Sequence, residues 1–251
     1  MPQGDNSPAA FLFVCYNEAM QKYTAIILSS HDSGEFDRLY ILYTKEIGVV
    51  KAMGRGVRKQ TAKLAGHLEP GTLSEVYVAR ARGMGQITGA IALDNFENIK
   101  NNFEKLAEVL KIFKFFTRHF SEEEKDEKVF EVLSGFLKKV DEADKADILT
   151  EAFWWKLFDV LGNRPETMKC AKCEARLEEK GEKYFSASRG GIVCGKCFAG
   201  EQDPAKISSD QIKLLRIFLA NPLEKIIKVK VDEMELKGLG RIRQDFERYN
   251  F

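Results

Sequence analysis

The chain is poor in the residues that most often do chemistry or mark a compartment. Three histidines and two tryptophans occur in 251 residues, and five cysteines. So few cysteines in a chain easily long enough to bury a core exclude a scaffold held together mainly by disulfides. None of His31, His67 and His119 stands beside a Ser or Cys nucleophile motif, and no His-x-Glu precedes a cysteine pair, as a zinc deaminase would require. His119 is read as a helix-end residue. Glycine-rich phosphate loops are also missing. Gly54-Arg55-Gly56 lacks the Gly-Lys-Ser/Thr ending and is expected to be a bulge that aims Arg55 outward. No stretch is apolar for long enough to span a bilayer. The longest near the start, residues 9–16, has no basic flank and is a poor signal peptide. Internal repeats and low-complexity tracts are lacking too.

What remains is a composition of 44% hydrophobic and 31% charged residues, that of a soluble globular protein of more than one domain. Net charge is +1 but unevenly spread. Residues 20–93 carry ten Lys/Arg and six Asp/Glu. Residues 94–162 carry eleven against sixteen, and residues 163–251 eighteen against fourteen. A basic first region beside an acidic middle points to separate surfaces for separate partners; charge noise among solvated faces is the plainer alternative.

Four of the five cysteines form two close pairs, Cys170/Cys173 and Cys194/Cys197. C-x2-C…C-x2-C at this separation is a metal-ligand arrangement. Zinc takes four ligands in a tetrahedron and favours thiolates, and a tight turn of two intervening residues aims both sulfurs of a pair at one ion. Lys169, Lys172 and Lys196 place positive charge beside the sulfurs, which favours thiolate. Redox-active pairs, disulfides and an iron–sulfur cluster are the alternatives, the last with a poorer match in spacing. Four cysteine ligands leave no open position, so one structural zinc ion is expected rather than a catalytic one. Reduced cysteines imply a cytoplasmic protein.

Short strands separated by glycine turns are expected over residues 23–28, 38–44, 49–53, 73–81 and 86–92. A longer connection over residues 55–71 holds room for a short helix at 63–67. Five strands with a helical element before the fourth is the plan of an OB-fold barrel. The period then changes. Ile99, Phe103, Leu106, Leu110 and Phe113 predict one amphipathic helix capped by Asp94 or Asn95. Residues 121–124 read as a capping box before a second helix, and a third runs from about Asp144 to Leu161 and stops at Gly162. A short hairpin is expected between the cysteine pairs, over 184–187 and 191–193. Ser208 or Ser209 should cap a helix, and residues 234–249 should form the last one. Adjacent Trp154 and Trp155 are read as core.

Lys51, Arg55, Arg58, Lys59 and Lys63 place five cations in thirteen residues without one acid. Arg80 and Arg82 end the fourth strand. Such cations suit phosphates, because each neutralised phosphate releases counterions, and Tyr40, Tyr43 and Tyr77 are stacking candidates or core residues.

The residues Thr24 to Leu28, Gly34 to Arg38, Thr44 to Gly48, Met53 to Lys59, Leu64 to Pro70 and the two cysteine pairs, in this order and spacing, resemble the bacterial RecO family of DNA repair proteins. The resemblance covers the chain from Met20. It implies an α+β multidomain protein: a leading extension (1–19, read as a disordered tail, an added strand or an upstream start), an N-terminal five-stranded OB-fold barrel (20–93), a helical domain (94–166 and 200–251), and a four-cysteine zinc ribbon or finger inserted at 167–199. It implies a recombination mediator, not an enzyme. Such a protein binds single- and double-stranded DNA and anneals complementary strands. Its implied partners are RecR, also RecF, the C-terminal tail of single-strand DNA-binding protein, and indirectly RecA. It implies a nucleoid-associated cytoplasmic location without membrane contact. By residue, Arg55, Arg58, Lys59 and Lys63 match the family's basic barrel loop, with Lys51, Arg80 and Arg82 beside it. A zinc-dependent nucleic-acid-processing enzyme and a protein-only adaptor with a structural zinc site are the competing readings.

Overall fold

A computed structural model describes residues 19–80, 84–122, 124–178, 181–200 and 204–251. Five strands close into a barrel in the order β1-β2-β3-β5-β4: β1 (Ala19–Ser33), β2 (Asp37–Thr44), β3 (Gly48–Gly54), β4 (Leu73–Arg80) and β5 (Gly85–Asp94). All pairings are antiparallel except β3–β5, which is parallel and short, Ala52 opposite Gly85 and Met53 opposite Gln86. This is the OB-like barrel expected, with a single 3-10 turn (Ala65–Leu68) before β4.

Alternation along the strands makes two separate apolar surfaces. Tyr23, Ala25, Ile27, Tyr40, Leu42, Val50, Ala52, Val76 and Val78 fill the barrel interior. Ile26, Leu28, Tyr43 and Val49 point outward and are buried too, because helices cover them. Tyr43 lies edge-on to Phe116 and Phe120 and stacked with Phe130, at ring-centroid distances of 4.9, 5.5 and 6.2 Å. Tyr40 and Tyr43 are therefore core residues and not stacking platforms. Tyr77 is half-buried, its hydroxyl bonded to Glu75.

Seven helices follow among the described residues: α1 (Glu97–Lys100), α2 (Phe103–His119), α3 (Glu127–Glu142), α4 (Asp147–Val160), α5 (Ser209–Ala220), α6 (Leu223–Ile226) and α7 (Glu233–Asn250). Two expectations fail here. The first helix is broken, because Asn102 is extended and its side chain caps α2 by accepting from the Lys105 N–H. The break rotates the face. Phe103 is 85% exposed and Leu110 half-exposed, while Val109, Ile112, Phe113, Phe115 and Phe116 are buried. Likewise Ser121 to Glu124 start no helix. Asp126 caps α3, its carboxylate accepting from the Val129 N–H, and Glu122 instead pairs beside Val49 of β3. The caps differ as well: Asp94 and Asn95 do not cap α1, whose N-cap Phe96 makes no side-chain bond, and α4 starts at Asp147 without a side-chain cap. Two later termini follow the sequence signals. Gly162 ends α4's turn at φ +85°, and Ser208 forms a reciprocal capping box with Gln211.

Trp154 and Trp155 are both buried, as expected, in a continuous aromatic core with Phe115, Phe158, Phe185 and Phe246. Below them Glu151 is fully buried. Its carboxylate accepts from the Trp155 indole at 2.9 Å and from Arg243 of α7 at 3.2 Å, and Arg243 also binds Glu247 at 2.6 Å. Burial pushes the Glu151 carboxyl up to about 7, against the pull of Arg243 and Trp155. No helix among the described residues is long and apolar enough to cross a membrane.

Two outcomes follow from these buried polar atoms. Among the described residues the Tyr43 hydroxyl is buried without a partner. Tyr43→Phe should therefore leave denaturant stability unchanged or raise it by about 1 kcal/mol, whereas Phe116→Ala should lower it by about 3–5 kcal/mol. Because Glu151 holds its proton more tightly when folded than unfolded, its contribution is complete below about pH 4.5 and is lost as pH rises through 7. Relative to Glu151→Gln, the natural protein should lose up to about 3 kcal/mol between pH 4.5 and 7.5. Parallel pH profiles of the two would refute this.

Candidate nucleic-acid interface and metal centre

At the end of β3 the chain turns through Gly56, whose φ of +66° only glycine adopts without strain. This is a turn and not the strand bulge expected, but it does leave Arg55 exposed. Val57 then folds back into the barrel interior as a peg. The turn is further fixed to the β1–β2 connection. Asp37 accepts from the Gly56 N–H at 2.7 Å, and the Phe36 carbonyl accepts from the Arg58 N–H at 3.0 Å. Residues 55–63 are thus a basic loop held by its own apolar and backbone contacts, with its cations left on the outside.

The cations do not share one state. Arg58 lies 3.3 Å from Asp32, which also binds Arg38 at 2.9 Å; Arg38 holds the Asp32 carboxyl below its usual range. Lys51, outward-facing on β3, is paired with Glu122 at 2.8 Å. Among the described residues Arg55, Lys59 and Lys63 make no ion pair. Lys59 sits 5.4 Å over the ring of Phe36, which is 42% exposed at the β1–β2 connection. Phe36 is the aromatic that sequence reasoning overlooked; its signal was a lone aromatic inside a Gly-Glu-Phe-Asp turn beside a basic run. The register sets the start of β5, at Gly85, opposite Ala52 near the same end of β3. Arg82 in the β4–β5 connection lies outside the described residues, as do Cys15 and the leading extension. For Arg80 only the backbone, paired with Ala19, is described.

The cysteine segment forms a small sheet in the order β7-β6-β8: β6 (Lys183–Ser186), β7 (Gly191–Cys194) and β8 (Ala205–Lys206). The hairpin was expected and the third strand was not, because two residues carry no periodicity. The four Sγ atoms of Cys170, Cys173, Cys194 and Cys197 lie within 4.8 Å of one another. A tetrahedron of thiolates around zinc at about 2.3 Å has sulfur–sulfur edges of about 3.8 Å, so the set fits a four-coordinate ion with slight contraction. Burial pushes the Cys170 thiol up. N–H groups of Cys173, Cys194 and Lys172 outweigh this and bring it down to about 6. Cys197, hydrogen-bonded to Cys194 and Cys173, is raised to about 12. Four clustered thiols lose the first proton easily and the last with difficulty; a bound dication removes that penalty. The element is seated firmly: Phe185 and Ile192 join the helical core, and Arg216 of α5 donates to the Thr167 carbonyl.

Residues 20–96 match the family model for Recombination protein O N terminal, and residues 100–250 that for Recombination protein O C terminal. This chain belongs to the RecO family. Among relatives named DNA repair protein RecO, that of Dehalococcoides mccartyi strain 195 is 32% identical over 228 residues, 88% of this chain and 89% of its own. The Pelotomaculum thermopropionicum relative is 30% identical over 92% of this chain and 88% of its own. One from Listeria monocytogenes is 26% identical over 84% and 82%. The RecO family acts in DNA repair and recombination, and this chain carries its barrel, its helices and a cysteine cluster able to hold a metal ion.

Metal removal tests the cluster. Stripping with a strong chelator, or Cys194→Ser, should release one ion per chain and lower the melting temperature by at least about 5 °C, the shift for a loss of about 2 kcal/mol at this size. No metal by elemental analysis, with unchanged melting, would refute a structural ion.

Proposed function

We propose that this RecO-family chain is a recombination mediator that binds single- and double-stranded DNA and anneals complementary strands. In this reading RecR, with RecF, assists it. It engages the C-terminal tail of single-strand DNA-binding protein, and so helps RecA load at gaps. The observation that carries the nucleic-acid part is the exposed Phe36 ring beneath Lys59, beside a loop pinned by Val57 whose Arg55, Lys59 and Lys63 make no ion pair among the described residues. Phosphates would lie against the cations and a base of a single strand on the ring. Arg58 both holds the loop and adds charge. Lys51, Arg80 and Arg82 extend the surface.

The chemistry asked of such a site is modest. Two phosphate backbones repel, and a fixed positive surface between them lowers that repulsion so that bases can pair. No bond is broken and no nucleotide is consumed, so the chain is read as a mediator and not an enzyme. Zinc is the ion the four thiolates suit, as a structural clip with no open position. We read the chain as an extension (1–19), a DNA-binding barrel (20–93) and a helical domain (94–166 and 200–251) interrupted by the zinc element (167–199). The work belongs at the nucleoid, in the bacterial cytoplasm.

Charge reversal of Arg55, Lys59 and Lys63 to Glu should weaken oligonucleotide binding. It should also reduce the slope of log affinity against log salt by about 2, given ~0.7 per phosphate on single strands. Phe36→Ala should cost about 1–3 kcal/mol on single strands and little on duplex. Unchanged annealing and salt slope in the triple variant would place the DNA surface elsewhere.

A further inference from the structure

The outer face of β3 carries Val49, Lys51 and Met53 at alternate positions, and Arg55 follows directly. Lys51 and Arg55 are separated by about 13 Å at 3.3 Å per residue, the rise of about four stacked nucleotides. Lys45, in the turn that opens β3, extends the line at the other end. The strip Lys45–Lys51–Arg55–Lys59 therefore runs the length of the strand and into the basic loop.

Only half of that strip is open. β5 pairs with β3 at Ala52 and Met53 alone. Before that point Val49 is bridged in parallel by Glu122, from the connection between α2 and α3. The approach is close: a Cβ at Gly48 would stand 2.2 Å from the Glu124 carbonyl oxygen. Glu122 then binds Lys51 at 2.8 Å and Glu127 binds Lys45 at 3.0 Å, with all four side chains about half exposed. The sequence here reads Glu122-Glu-Glu-Lys-Asp-Glu127, and two of its carboxylates, Glu122 before α3 and Glu127 at its start, meet the two lysines. Half-exposed ion pairs contribute little to stability, so this pattern is not explained by fold maintenance. In water-exposed pairs of this kind a phosphate competes with a carboxylate on nearly equal terms.

We propose that Glu122 and Glu127 act as an internal polyanion covering the Lys45–Lys51 end of a phosphate-binding strip on β3, so that nucleic acid must displace their carboxylates to engage the strip's full length. The inference rests on the DNA-binding reading above. It assigns a function to the acidic connection, which that reading leaves unused. The barrel would first meet nucleic acid through Arg55, Lys59 and Lys63, and would lengthen its contact only where a phosphate competes successfully for Lys51 and then Lys45.

The test uses the full-length, metal-loaded chain and a fluorescent single-stranded oligonucleotide over a salt series. Glu122→Gln with Glu127→Gln should tighten binding about three- to tenfold at low salt and steepen the salt slope by about 1.4, two further phosphates at ~0.7 each. Glu108→Gln with Glu233→Gln makes the same change in net charge on other exposed ion pairs. It should alter neither quantity by as much as half of that. Equal effects in the two double variants, or none in the first, overturn the inference. If the Arg55, Lys59 and Lys63 reversal still abolishes binding in that case, the DNA surface stands without the internal polyanion. A natural chain with no salt-dependent binding overturns both.

Discussion

Everything in this molecule hangs on one seam, where the outward face of the barrel at Ile26, Leu28, Tyr43 and Val49 is buried against α2 and α3. A five-stranded barrel of this size fills its interior with its own side chains and has no need of helices to do so. Here the barrel gives up a second apolar surface, and Tyr43 is the residue most committed to it. Its ring sits among Phe116, Phe120 and Phe130, and its hydroxyl is left without a partner among the described residues. A polar atom is sacrificed so that a flat aromatic can join three others. That exchange is sensible only where packing between the two halves outweighs one lost hydrogen bond.

Fixing the barrel at this seam decides how charge is distributed. One side of β2 and β3 is closed by helices, so the cations that follow β3 are carried toward the far end, beside the β1–β2 connection. The connection from α2 to α3 crosses the seam's border, and its carboxylates meet Lys51 and Lys45 there. A basic barrel and an acidic helical region thus meet through the Lys45–Glu127 and Lys51–Glu122 pairs. The uneven charge of the sequence is partly an internal complementarity.

How much of this the sequence discloses depends on the range of the forces involved. The barrel strands were legible, because alternation and glycine turns are local, and so were the capping of α5 by Ser208 and the stop at Gly162. The cysteine cluster was legible because ligand spacing is itself a geometric statement. The break at Asn102 was not. Ile99, Phe103 and Leu106 keep a helical period across it, and only the Asn102 side chain, competing for a backbone N–H, marks the new start. The run of five cations without an acid was correct as a string and incomplete as a surface. Glu122 and Asp32 reach two of those cations from 71 and 26 positions away, and no window along the chain contains them. Phe36 was passed over for the opposite reason. Attention went to Tyr40 and Tyr43, read as stacking candidates or core residues, and standing in a strand is what buried them.

The cysteine element shows the same logic at smaller scale. Between α4 and α5 the chain needs a connection that is long yet ordered, and a two-stranded hairpin is marginal alone. Phe185 and Ile192 give it one apolar face, which docks against Trp155 and the helical core. On the other face Val193 is buried and Tyr184 stacks on Phe198, and the four sulfurs gather where β7 ends at Cys194. A metal ion held by the four sulfurs would tie residues 170–173 to the end of β7. The place for such an ion is set by ligand spacing, while the exposed cations of the basic loop are those left over after Asp32 and Glu122 have taken their share. The two sites share a chain without sharing a cause, and neither depends on the other for its geometry.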